Sequence, residues 1–213
     1  MDELTLAETG WDRRRRRVAL HLEAVALELF AARGYRNVTV VDVAEAAGVA
    51  TRTVARYFPL KEDLLLSVPR RMVTGAIEEL QHVARESRTI KDIWDVWAGL
   101  TRSNDEEVGR LYQFWQAAQD VPEILDRARG EQHVRVRQAL TVIVRGCLDD
   151  GPQADLDAEV LAAALQAANR AIVEHWMRGD RGDDLAEMFT ASTAVLAYHL
   201  GTLDGTRRRR KVS

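Results

Sequence analysis

The run from Thr39 to Pro59 constrains this chain more than any other segment. It reads as two short helices on either side of Gly48: Val40–Ala47, and a second that ends near Tyr57. Thr39 is a good N-cap for the first of them, and Asp42 adds a carboxylate to its first turn. Phe58-Pro59 ends the second, because a residue before proline is pushed away from the α region. Just upstream, Leu22, Val25, Ala26, Leu29 and Phe30 recur at the spacing of one helix face across Val18–Ala32, and Gly34 stands where a left-handed terminal residue belongs. Two short helices joined by a glycine-containing turn have the geometry of a helix-turn-helix that binds double-stranded DNA. Ala44 and Ala47 are small enough for the second helix to cross the first, and Val49 and Val54 face the packing surface of Leu29 and Phe30.

The outer face of the second short helix then carries Thr51, Arg52, Ala55 and Arg56, with Thr53 beside them. Arginine donates two hydrogen bonds to guanine O6 and N7, and threonine contacts a base edge or a thymine methyl. Thr39, Tyr57 and Lys61 flank this face as candidate phosphate contacts. Arg14, Arg15 and Arg16, read as an arm ahead of the first helix, are candidates for the adjacent backbone or minor groove. Taken singly, Arg52 and Arg56 fit a solvated helix face equally well, and Tyr57 fits a core position with a wet hydroxyl. The case rests on their falling together around one turn.

Beyond Pro59 the pattern stays helical. Lys61-Glu62-Asp63 opens a fourth helix, in which Pro69 predicts a kink or a break. Further helical patterns cover Ile90–Leu100, Glu106–Ala118, Glu123–Leu148, Leu156–Arg178 and Asp184–Leu203. With 4 Pro and 13 Gly in 213 residues, and few strictly alternating stretches, the composition favours helix over strand. The single cysteine, Cys147, excludes an intrachain disulfide framework and a multi-cysteine metal site. No apolar stretch approaches the roughly 20 residues of a membrane span, and the acidic Met1-Asp2-Glu3 start lacks the form of an export signal. A cytoplasmic protein is expected. The five histidines are dispersed, no phosphate-binding glycine pattern occurs, and no catalytic signature emerges; neither an enzyme nor a bound cofactor or metal is expected.

The runs Leu29-Phe30-Ala31-Ala32-Arg33-Gly34-Tyr35, Thr39 through Val49, and Tyr57-Phe58-Pro59-Leu60-Lys61-Glu62-Asp63-Leu64-Leu65 closely resemble the tetracycline-repressor (TetR) family. That resemblance implies an all-α protein: an N-terminal three-helix helix-turn-helix DNA-binding domain over 1–62, a helical ligand-binding and dimerisation domain over 63–205, and a basic tail over 206–213. It implies a homodimer on a palindromic operator, most simply a repressor released by a small apolar effector. An activator or a constitutive regulator is the alternative, and a helical enzyme or adaptor with a vestigial head is a further one. By the same resemblance, Trp94, Trp97, Tyr112 and Trp115 lie in helices that wall a ligand cavity, with Met72 and Ile77 added from the fourth helix. The dimer face is expected on the last two helices, at Leu161, Ala164, Leu165, Ala168, Ile172 and Trp176, then Met188, Ala191 and Val195. For these aromatics and apolar faces, an ordinary intramolecular core is the competing expectation. Three departures stand out: Ala50 where the family usually has a capping residue, Ala55 where it often has an aromatic, and Val41 where a basic residue is frequent.

Overall fold

The computed structural model describes residues 10–86, 89, 91–92, 94–96, 99, 105–179, 184–192 and 194–195, and among these there is no strand. The helices are α1 (Gly10–Arg33), α2 (Val40–Ala46), α3 (Thr51–Tyr57), α4 (Lys61–Glu86), α5 (Asp105–Ala118), α6 (Pro122–Cys147) and α7 (Ala154–Arg178). A 3-10 turn at Tyr35–Asn37 follows α1, and residues 91–92, 94–96 and 185–192 are also helical. The fold is all-α, as the sequence pattern implies. The chain forms two compact units: Met1–Arg71 with Gly109–Arg129, and Met72–Val108 with Gly130–Ser213.

In the first unit α1 buries Leu22, Ala26, Leu27 and Phe30. Val43 and Ala44 of α2 and Val54 of α3 are buried in the same unit, and alanine at 44 lets helix axes approach closely. The turn between α2 and α3 is closed by two backbone bonds: Gly48 N–H donates to Glu45 O (3.1 Å) and Val49 N–H to Ala44 O (2.9 Å). This pairing needs a left-handed residue, which Gly48 supplies at φ 67°. Helix α1 begins at Gly10, eight residues before the expected Val18, so the arginines at 13–17 form helical turns and not an arm. Arginine is a strong helix former, and the Arg15 guanidinium packs 5.5 Å from the Trp11 ring centroid, one turn back.

Helix α4 continues without a break through Pro69. The ring deprives the Leu65 carbonyl of its helical donor, but Pro69 is buried in a run with Leu64, Leu65, Leu66 and Val68. Burial of that face offsets the lost bond. At the centre of the unit Glu23, only 1% exposed, accepts from Ser67 Oγ (2.6 Å), Arg71 Nη1 and Arg110 Nη1 (3.4 Å), tying α1 to α4 and α5.

The second unit has a core of Leu80, Leu140, Val144, Ala158, Ala162 and Phe189, among others. Trp94 is buried there, its indole N–H donating to Phe189 O (3.0 Å) and its ring lying edge-on to the Phe189 ring. Leu165, Ile172 and Trp176, expected at a dimer face, belong to this intramolecular core. Helix α7 is apolar on two sides, and the outward side carries Leu156, Val160, Ala164, Ala167 and Ala171. Of the other residues expected at that interface, Leu161, Ala168 and Met188 are half-buried, whereas Ala191 and Val195 are exposed.

Candidate nucleic-acid interface

Helix α3 enters from Ala50 at φ −70°, ψ 144°, the backbone of an N-cap without a capping side chain. Thr53 N–H closes the first turn onto Ala50 O (2.7 Å), and Thr51 is the first helical residue instead of a replacement cap. Val54 points inward and is fully buried, which fixes the helix rotation. Thr51, Arg52, Ala55 and Arg56 consequently face solvent together, with Thr53 and Tyr57 half-buried at the edge. The Arg56 guanidinium lies 5.2 Å from the Tyr57 ring centroid.

The flanking residues separate on inspection. Thr39 is exposed, but its hydroxyl and its N–H are both engaged with the Asp42 carboxylate in a reciprocal capping box. Those bonds, first the Thr39 hydroxyl and then its backbone N–H, hold the Asp42 carboxyl below the usual carboxylate range. A capping carboxylate at this helix start works against phosphate binding through Thr39 itself. Lys61 donates to Tyr35 O (2.6 Å) and sits 4.1 Å from the Tyr35 ring centroid, so it fastens the 3-10 turn to α4. Burial lowers its pKa.

Of the N-terminal arginines, Arg14 and Arg15 share a side of α1 with Trp11 and Val18, whereas a 3.6-residue period turns Arg16 away from them. Trp11, Arg14, Arg15 and Val18 of α1 line a cleft of about 510 Å³ with Val49, Thr53, Arg56 and Tyr57. Sequence reasoning missed Trp11, although an exposed tryptophan four residues before an arginine was legible.

The residues expected at a ligand cavity divide between the units. Met72 and Ile77 are half-buried and, with Trp94, belong to the second; Tyr112 and Trp115 belong to the first, half-buried, with ring centroids 6.1 Å apart. Trp97 lies outside the described residues. Among the described residues, no three His, Cys, Asp or Glu side chains gather where a metal ion could be held, and no helix is long and apolar enough to cross a membrane.

Residues 23–68 match the family model described as bacterial regulatory proteins, tetR family. Over 54 residues the chain is 51% identical to MftR of Mycobacterium tuberculosis, a proposed mycofactocin biosynthesis transcriptional regulator, covering 25% of this chain and 27% of that one. Over 67 residues it is 36% identical to the fatty acid metabolism regulator protein of Bacillus subtilis, covering 32% and 34% respectively. The match thus spans about a third or less of either relative's length. The fold of the whole is similar to that of Thermus thermophilus FadR, a TetR-family transcriptional repressor solved in complex with lauroyl-CoA. There the TM-score is 0.57 at 23% identity, over 84% of this chain and 92% of that one. The family model thus covers the helix-turn-helix segment, and the likeness of fold extends over most of the chain.

Proposed function

We propose that this chain is a ligand-responsive transcription regulator of the cytoplasm. It binds a palindromic operator as a homodimer, represses, and is released by a small apolar effector. The observation that carries this reading is the outward face of α3, where Arg52 and Arg56 stand free of any carboxylate among the described residues while Val54 anchors the helix from behind. A face of two arginines and a threonine is suited to base edges in the major groove. Homodimerisation is supported by the outward stripe of α7, Leu156, Val160, Ala164, Ala167 and Ala171, whose small residues allow a symmetry mate to approach closely. Two heads related by a two-fold axis read two half-sites.

For the effector, lauroyl-CoA is the first probe, because a protein of similar fold was solved with it. Release requires that the probe bind one of two head arrangements more tightly than the other. In this reading Pro69, inside α4, acts as the hinge that transmits the change.

Duplexes selected from a random library by the full chain provide the test. Arg52→Ala should lose about 1–3 kcal/mol of discrimination at one base pair per half-site. Lauroyl-CoA, whose acyl chain is apolar, or a member of a panel of small apolar compounds, should then release the wild-type complex. Failure to enrich any sequence overturns the DNA-binding reading; enrichment without release by any panel member overturns the effector.

A further inference from the structure

When no DNA is bound, the cleft between α1 and α3 holds cations without a counter-charge. Arg14, Arg15 and Arg56 line it, and no acidic side chain among the described residues does. Aromatic faces hold two of these forks, Arg15 against the Trp11 ring and Arg56 against the Tyr57 ring. The floor is apolar, built from Val18 and Val49, and Trp11 at the rim is 66% exposed. A volume of about 510 Å³ with this lining suits a short extended peptide that carries both carboxylates and apolar side chains.

The chain carries such a peptide next to the cleft. Residues 1–9 lie outside the described residues and run directly into α1 at Gly10. Their sequence holds three carboxylates, Asp2, Glu3 and Glu8, and neither lysine nor arginine. In an extended chain alternate residues share a face, which groups Asp2, Leu4, Leu6 and Glu8: acid at both ends and apolar between. Nine extended residues reach about 30 Å. The cleft residues of α1 end at Val18, about 12 Å along the helix from Gly10. The segment is therefore long enough to turn back and span the cleft.

We infer that residues 1–9 fold back along α1 into this cleft and compete with DNA for it. Asp2 and Glu8 meet the guanidiniums, and Leu4 and Leu6 cover the apolar floor beside Trp11. The inference rests on the DNA-binding reading above, and adds an occupant from the chain itself that every duplex has to displace. A weakly held sequence loses that contest first, so the segment raises the affinity a duplex needs before it is bound.

The test compares the full chain with its neutralised variant, Asp2→Asn/Glu3→Gln/Glu8→Gln, on a duplex selected by the wild type. A tether that supplies about 1 mM effective concentration to a cleft of about 0.1 mM affinity keeps it closed in about nine molecules of ten, so the variant should bind about tenfold tighter at low salt. The gap should close as salt rises, because the ion pairs that hold the segment are screened. A second reading needs no DNA. A synthetic peptide of residues 1–9, added to the neutralised variant, should shift its tryptophan fluorescence with a midpoint of about 0.1 mM. Adding Trp11→Phe, or Arg14→Ala/Arg15→Ala, to that variant should remove the shift. Thermal melts show whether each variant is folded. Equal or looser duplex binding by the neutralised variant overturns the inference and leaves the DNA-binding reading intact. Tighter binding without a peptide signal also overturns it, and assigns the gain to charge repulsion at a distance. A chain that selects no duplex but answers the peptide keeps the contact and overturns the competition together with the DNA-binding reading.

Discussion

Replacing Glu23 with alanine tests whether the first unit is organised around a buried charge. The Glu23 side chain is 2% exposed, and it faces Arg71 and Arg110, whose side chains are 25% and 18% exposed. Removing a buried carboxylate from its cations leaves them desolvated without their counter-charge, a loss of about 3–5 kcal/mol. The arginines here reach water and keep further contacts, which places the expected loss near the lower end, about 3 kcal/mol. For a chain of this size, 1 kcal/mol moves the melting temperature by about 2–4 °C, so Glu23→Ala should lower it by about 6–12 °C. Glutamine keeps the shape and one acceptor for Ser67 or Arg71, and should lower it by about half as much. Circular dichroism at 222 nm during a thermal ramp reads the change. A double-mutant cycle with Arg71→Ala separates the ion pair from the cavity and should give a coupling above about 0.5 kcal/mol. A melting shift below about 3 °C for Glu23→Ala, or a coupling of zero, refutes the account of Glu23 as the tie between α1, α4 and α5.

Two further outcomes follow from named positions. Ala50 already has N-cap backbone angles, so Ala50→Ser should offer its hydroxyl to the Arg52 N–H. That should raise stability by about 1 kcal/mol, a gain of about 2–4 °C in the same melt; no gain would mean that the free N–H groups are already satisfied. Ala167→Glu, placed in the middle of the outward stripe of α7, should convert a dimer to a monomer in light scattering coupled to gel filtration. A variant that stays dimeric at low micromolar concentration would put the interface elsewhere.

The helix-turn-helix was legible because its determinants are local. Thr39 caps α2 within three residues, Gly48 alone accommodates the left-handed turn, and the position of Val54 sets which side of α3 faces out. Each of these interactions closes within a turn or two of chain, where spacing is informative. The same spacing left other matters undecided. Helix α7 is apolar on two sides, and periodicity does not say which side packs inward; Leu165, Ile172 and Trp176 turned inward because the core partners are there. A row of arginines ahead of an apolar periodic stretch reads as an arm, whereas α1 takes it in and gives one side of it a cleft to line. Pro69 reads as a break until burial of the surrounding leucines outweighs one lost hydrogen bond. Glu23, one carboxylate on an amphipathic helix, reads as an ordinary surface charge. Only tertiary structure brings Arg71 and Arg110, 48 and 87 residues away, to the two oxygens of this one carboxylate. The sequence by itself determined the helix-turn-helix, since its caps and turns act at short range. Which apolar faces are covered, and which charges meet, was decided by burial between segments far apart in the chain.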